Sequence, residues 1–118
     1  MLSRPHRLTS SRGFAEAIRR GRRAGTRCLV LHLQTTPEGD AGGPVVGFVV
    51  SKAVGNAVVR NHVKRRLRHL ARERLNSLPG SCVLVVRALP PAAAASSAEL
   101  AVDFDAALGR LQRRQRAS

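Results

Sequence analysis

The feature that most constrains the fold of this chain is a segment of cations and aliphatic residues that contains no acidic residue. Between Arg60 and Arg72 the sequence has neither Asp nor Glu. Successive residues of an α-helix advance by about 100°, which places Lys64 and Arg68 on the same side as Arg60. The other side carries Val59, Val63, Leu67 and Leu70. A helix over residues 57–78 is therefore predicted, with a buried Val/Leu stripe opposite a basic band.

The basic band indicates a polyanionic partner. An exposed helix normally alternates acidic and basic residues, because neighbours three and four positions apart then form ion pairs. Here the like charges repel one another along the whole face, and the full chain has 21 Lys and Arg against 7 Asp and Glu, a formal net charge of +14. Nucleic acid is the natural partner for this charge, and an anionic membrane surface is the competing one. An enzyme that acts alone on a neutral metabolite is disfavoured.

Export and membrane insertion are not expected. The N-terminus lacks the apolar stretch of a signal peptide, and no apolar run approaches the ~20 residues of a membrane span. Cys28 and Cys82 each lie in an apolar run without C-x-x-C spacing, which favours small buried thiols over a disulfide or a zinc site. We therefore expect a cytoplasmic protein.

The remaining patterns predict a single domain over residues 1–118. The predicted order is helix, strand, strand, helix, strand, helix, which corresponds to an α/β (α+β) sandwich with three helices packed against a small mixed sheet. Residues 27–35 and 45–51 are predicted strands that pair as an antiparallel hairpin. The continuous apolar run over residues 82–86 predicts a strand in the centre of the sheet, reached by a crossover through the basic helix.

The helices nearest the two ends of the chain are also predicted. After a basic arm over residues 1–8, a short helix carries an apolar stripe formed by Phe14, Ala17 and Ile18. Ser96 and Glu99 have the spacing of a capping box, which predicts the start of the last helix. The preceding tract over residues 92–95 is either a linker or an early helical turn, and residues 115–118 are expected to fray.

Side chains for independent catalysis are not grouped. A nuclease that acts alone needs carboxylates that hold a metal ion or a poised pair of histidines. The seven acidic residues are scattered along the chain, and the four histidines show no metal-ligand spacing. For His62, contact with RNA or simple exposure is favoured over a catalytic role. We therefore expect neither a catalytic residue nor a metal ligand on this chain.

One continuous segment is more specific than these patterns. Residues 47–68 read GFVVSKAVGNAVVRNHVKRRLR, an apolar strand that ends in Ser-Lys, then Val-Gly-Asn-Ala-Val, then a cluster of Arg, Asn and Lys. This segment closely resembles the signature of the bacterial ribonuclease P protein family, and the resemblance covers residues 4–111. Within this segment His62 stands where Arg is usual and Ala53 where a second basic residue is usual, and outside it Ile18 and His32 occupy positions that are often aromatic in the family.

The resemblance implies a fold and a function. The fold is ribosomal-protein-like, shared with a domain of elongation factor G, and has a left-handed crossover through the basic helix. The function is that of the small protein in the ribonucleoprotein that removes the 5′ leader from precursor tRNA. In that family the RNA subunit holds the catalytic Mg²⁺, so the protein alone is expected to bind no metal ion tightly and to have no nuclease activity. The implied partners are the RNA subunit and precursor tRNA, with no membrane and no further protein required.

The same resemblance implies two surfaces that face RNA. The basic helix and the loop before it would face the RNA subunit through Lys52, Asn56, Arg60, Asn61, His62, Lys64, Arg65 and Arg68. A cleft between the first helix and the sheet would receive the single-stranded leader through Arg7, Arg12, Phe14, Ile18 and His32. Further candidates for the lining are Leu29, Leu31 and Phe48, of which strand alternation lets only some point into the cleft. Core packing explains Phe14 and Ile18 equally well.

Two other functional classes stay open on the residues alone. A ribosomal protein or an RNA chaperone would have the same charge but need not contain the Ser-Lys to Arg-Asn signature. An independent nuclease would cut RNA without an RNA partner. Co-purification of one defined RNA species would separate these classes from the first.

Overall fold

The computed structural model describes residues 11–35, 44–78 and 82–117, and the predicted basic arm lies outside them. Its elements are α1 (Ser11–Arg20), β1 (Arg22–Gly25), β2 (Leu29–Thr35), β3 (Val45–Val49), α2 (Ala57–Glu73), β4 (Cys82–Ala88) and α3 (Ser97–Ala117). Short 3₁₀ turns span Leu75–Ser77 and Pro90–Ala93. Together these elements form the small α+β domain that the sequence predicts.

The described strands form one mixed sheet in the order β1-β2-β4-β3. β2 pairs antiparallel with both β1 and β4, and β3 pairs parallel with β4 after the crossover through α2. The predicted hairpin between residues 27–35 and 45–51 is therefore wrong, because β4 lies between these two strands. Leu84, Val85 and Val86 of β4 are 0% exposed, and a strand buried on both faces is stable with a neighbour on each side. The central position predicted for this strand is confirmed.

The sequence does not predict β1, because Arg22–Gly25 lacks the alternation of apolar and polar residues that marks a strand. It forms as the antiparallel partner of β2, with Ala24 opposite Leu31. Thr26 closes the turn between them: its backbone N–H donates to the Leu29 carbonyl at 2.7 Å, and its Oγ1 accepts from the Leu29 N–H at 3.2 Å. The pairing that was predicted with residues 45–51 is thus made by a strand that precedes β2.

One face of the sheet carries the main hydrophobic core. Alternate residues of β2 and β4 point to this face and pack against buried residues of α2 and α3, the largest of which is Phe104. Leu29 and Leu31 belong to this core, and Phe48 packs against it. Their proposed place in a cleft beneath the first helix is therefore wrong, because strand alternation directs them to the opposite side of the sheet.

The other face of the sheet is covered by α1. His32 of β2 and Val85 of β4 are register partners on this face, and both are buried. The helix contacts β2 and β4 and buries Ala17 completely. Gly21 allows this close approach, because a Cβ there would lie 2.4 Å from the Ala17 carbonyl oxygen and 2.9 Å from that of Leu33.

Local signals set the start of α2. The Asn56 side chain accepts a hydrogen bond from the Val59 N–H at 3.0 Å, which confirms Asn56 as the N-cap. A Cβ on Gly55 would lie 2.8 Å from Cγ1 of Val59, so the glycine allows the loop to pass close to the first helical turn. Val63, Leu67, Leu70 and Ala71 are the buried residues of the helix, which confirms the predicted apolar stripe.

The end of α2 is set by a contact with α3 and comes earlier than the predicted residue 78. Arg74 has φ −111° and ψ 9°, and its backbone N–H donates to the Ala71 carbonyl at 3.0 Å. Its guanidinium donates to Asp105 of α3, to the Leu70 carbonyl at 3.2 Å, and lies 5.8 Å from the centre of the Phe104 ring. The contact ties the last turn of α2 to α3, and the chain continues as a 3₁₀ turn.

The start of α3 is a capping box. The Ser96 N–H donates to Glu99 at 3.0 Å and the Glu99 N–H donates to the Ser96 hydroxyl at 3.1 Å, as predicted. The tract before it begins with the 3₁₀ turn over Pro90–Ala93, the helical alternative of the two predicted. The helix continues through Ala117, and the fraying of residues 115–118 stays a prediction.

Candidate nucleic-acid interface

The cations of α2 form two adjacent bands, and the first lies against the buried stripe. This inner band consists of Arg60, Lys64 and Arg68, all half-buried. The Nε atoms of Arg60 and Arg68 are buried and have no hydrogen-bond partner among the described residues. The two guanidinium groups are therefore partly desolvated, and a charge-assisted hydrogen bond is stronger in such surroundings than at a fully solvated side chain.

The second band is exposed and has a different chemistry. This outer band consists of Val58, Asn61, His62 and Arg65, which line a depression of about 150 Å³. Val58 lies three and four residues before Asn61 and His62, and Arg65 lies four and three residues after them, so the four share one face. It therefore offers an aliphatic side chain, an amide, an imidazole and a guanidinium side by side.

The loop before α2 carries the remaining residues predicted to face the RNA subunit. Lys52 is exposed in the turn over residues 52–54. Buried Val54 anchors this turn, and its N–H donates to the Ser51 carbonyl at 3.1 Å. Asn56 is exposed and uses its side-chain oxygen to cap the helix. The structure thus brings the loop and both bands together at the N-terminal half of α2.

Other polar residues of α2 lie outside the two bands. Arg66 lies on the opposite flank of the buried stripe and donates from Nη1 to the Ala95 carbonyl at 2.9 Å, so it supports packing against the segment before α3. Near the end of the helix, Nε2 of His69 lies 3.5 Å from Oε1 of Glu73. The acid-free surface therefore ends at this pair.

The residues predicted to bind the leader are only partly brought together. Phe14 is half-buried and Ile18 is 36% exposed, so both present apolar surface at α1 rather than being enclosed in the core. His32 is 1% exposed beneath α1 and offers no open ring face for a base. Arg12 lies in the first turn of α1, and Arg7 lies outside the described residues. The leader role of all five residues stays a prediction.

The buried His32 is in contact with Arg87, a cation that was not among the residues predicted to bind RNA. Nη1 of Arg87 lies 3.5 Å from Nε2 of His32, and Arg23 is the register partner of His32 on β1. Burial, Arg87 and Arg23 together lower the pKa of His32, which favours the neutral imidazole. In the sequence, Arg87 stands out as the one charged residue of the otherwise apolar strand β4. The alternation of the strand places Arg87 on the same face as His32, where it is half-buried.

Among the described residues, no group of three or more His, Cys, Asp or Glu side chains could hold a metal ion. The described helices include none that is long and apolar enough to cross a bilayer. The interface is therefore best characterised by its cations.

Comparison with known proteins decides the family. The family model described as Ribonuclease P matches residues 2–112. The chain belongs to the ribonuclease P protein family. This membership confirms the resemblance seen in residues 47–68 and the functional class that it predicts, an RNA-binding protein of tRNA processing.

Individual relatives in the ribonuclease P family span nearly the whole chain. A ribonuclease P protein component from Nocardioides is 66% identical over 112 residues, which cover 94% of this chain and 95% of the relative. The protein component from Streptomyces bikiniensis is 56% identical over 117 residues, with 94% and 95% covered.

Solved structures of ribonuclease P proteins have the same fold. The protein from Staphylococcus aureus superposes with a TM-score of 0.77 at 25% identity, covering 88% of this chain and 93% of the other. The protein from Thermotoga maritima superposes with a TM-score of 0.74 at 21% identity, covering 91% and 96%.

Proposed function

We propose that this chain is the protein subunit of the ribonucleoprotein that removes the 5′ leader from precursor tRNA. In this proposal α2 binds the catalytic RNA subunit, and the exposed apolar surface of α1 meets the single-stranded leader. The observation that carries the proposal is the inner band, in which half-buried Arg60 and Arg68 keep a buried Nε without a partner among the described residues, on a helix that has no acid from Arg60 to Arg72. RNA phosphates are the acceptors that suit such a band.

The leader surface is proposed from the other face of the sheet. Phe14 and Ile18 expose apolar surface on α1, and half-buried Arg87 lies on the face of the sheet that α1 covers. Apolar side chains flanked by cations suit a single strand, because bases contact the first and phosphates the second. His32 acts in this surface as a neutral support for Arg87 rather than as a stacking platform, because it is buried.

The chemistry of cleavage is assigned to the RNA subunit in this proposal. The described residues offer no set of carboxylates that fits a tight Mg²⁺ site. The proposal therefore leaves the Mg²⁺ ions with the RNA and gives the chain the roles of binding and positioning. Precursor tRNA and the RNA subunit are the partners, and no other protein is needed.

Reconstitution tests this assignment. We expect the purified chain with an in vitro transcribed ribonuclease P RNA and Mg²⁺ to cut precursor tRNA at the end of its leader, and the chain without RNA to leave it intact. Specific cleavage by RNA-free protein would show an independent nuclease. Binding to many unrelated RNAs without any effect on cleavage would instead favour a ribosomal protein or an RNA chaperone.

The leader surface has its own test within the same assay. The affinity of the holoenzyme should rise with leader length and then level off, and Phe14→Ala and Ile18→Ala should reduce that rise. Val102→Ala is a matched control, because Val102 is an aliphatic residue that is 67% exposed on α3. If Phe14→Ala lowers the melting temperature and leaves the length dependence intact, Phe14 is a packing residue and the leader lies elsewhere.

A further inference from the structure

We propose that the depression of the outer band binds an unpaired adenine base of the RNA subunit. This inference rests on the proposed function, since it names the part of that RNA which meets the exposed side of α2. The depression has a volume of about 150 Å³ and is lined by Val58, Asn61, His62 and Arg65.

The side chains that line the depression differ from those that a phosphate needs. Cations and N–H donors are sufficient for a phosphate, and the inner band supplies them. The outer band adds Val58, which is 64% exposed, whereas Val63 and Leu67 of the same helix are buried. A phosphate gains nothing from an aliphatic side chain, but the apolar face of a base does.

The polar groups of the depression match the edge of a base. Unpaired bases of RNA are recognised by stacking on planar side chains and by hydrogen bonds to their edges. Asn61 carries a donor and an acceptor on one amide, the pair that bonds to N6 and N7 of adenine. His62 and Arg65 are planar groups that share the depression with Asn61 and can stack on the ring or contact the adjoining phosphate.

The charge of the side chains around the depression favours nucleic acid as the occupant. The depression is lined by neutral and basic side chains only. The nearest acid along the outer side of the helix is Glu73, which is held at His69 by the 3.5 Å contact at the far end. The phosphates on either side of an unpaired base therefore meet the cations of both bands, and no described acid of α2 opposes them.

Salt-dependent binding to the transcribed RNA subunit tests the proposal. Val58→Ala should weaken binding by about 3- to 10-fold, and Asn61→Ala by about 5- to 100-fold. Neither should change the slope of log affinity against log salt, because neither contacts a phosphate. The matched variant Arg60→Gln should lower that slope by about 0.7–0.9. Circular dichroism should show an intact fold for the two exposed positions.

Footprinting with diethyl pyrocarbonate, which reacts with N7 of unpaired adenines, gives a second readout. Wild-type protein and Arg60→Gln, the latter at saturating concentration, should protect an unpaired adenine that Asn61→Ala leaves reactive. The proposal is overturned if Val58→Ala and Asn61→Ala bind as tightly as the wild type, or if they lower the salt slope as Arg60→Gln does. If the wild-type chain fails to bind the RNA subunit at all, the proposed function is overturned. If the wild type binds and these two variants bind with the same affinity, only this inference is overturned.

Discussion

Replacing Arg68 with methionine should weaken RNA binding and at the same time stabilise the isolated protein. Arg68 is half-buried, and its Nε atom is buried without a hydrogen-bond partner among the described residues. Methionine keeps an unbranched apolar stem of similar length, so packing against the buried stripe is retained. The change therefore removes an unpaired, partly desolvated charge and little else.

The magnitude follows from two contributions. A buried donor without an acceptor costs about 1–3 kcal/mol, and the lower end applies here because Arg68 is only half-buried. Like-charged neighbours four residues away, here Lys64 and Arg72, each cost about 0.2–0.5 kcal/mol. The free energy of unfolding should thus rise by about 1–2 kcal/mol, which corresponds to roughly 3–8 °C in melting temperature for a domain of this size. The salt slope of RNA binding should fall by about 0.7–0.9.

Urea unfolding, followed by circular dichroism, measures the change in the free energy of unfolding. RNA binding over a range of salt concentrations measures the change in the salt slope. Leu67→Ala is the control, because Leu67 is 0% exposed on the neighbouring side of the helix. It should lower the free energy of unfolding by about 2–5 kcal/mol and leave the salt slope of the folded fraction unchanged. A loss of more than about 1 kcal/mol in Arg68→Met would refute the reasoning, because it would mean that the guanidinium stabilises the fold.

Three further predictions concern the protein outside RNA binding. Because burial and two arginines lower the pKa of His32 in the folded state, the unfolded chain takes up a proton first as the pH falls below about 6.5. Stability should therefore decline below that pH, and His32→Gln should reduce the decline in melting curves at stepped pH. Arg74→Ala should destabilise more than Asp105→Ala, with a coupling of about 1 kcal/mol or less in a double-mutant cycle, because Arg74 also bonds the Leu70 carbonyl and lies over a ring. Sulfate should raise the melting temperature in dilute buffer, because the folded chain, with its net charge of +14, binds anions and is stabilised by that binding. Equal melting temperatures with and without sulfate would contradict this.

Helix α2 shows what could be predicted from sequence. Its buried stripe, its basic band and its N-cap are encoded in neighbours three or four positions apart, so the residues alone place Val63 and Leu67 inside and the cations on the other side. Only the structure shows that Arg60 and Lys64 are half-buried beside the stripe. The capping box at Ser96 is equally local. The early end at Glu73 could not be read in this way, because it depends on a contact between Arg74 and a residue of α3.

The sequence by itself indicated the three helices, three of the four described strands, the composition of the basic helix α2 and the resemblance to the family. Only the tertiary structure decided which strands are neighbours and which face each residue meets. An apolar strand is compatible with several partners, and burial of β4 on both faces placed it between β2 and β3. That arrangement directed Leu29, Leu31 and Phe48 to the core and placed His32 beneath α1 beside Arg87. The physical reason is that helix periodicity is a property of adjacent residues, whereas strand pairing is chosen by the burial of the whole sheet.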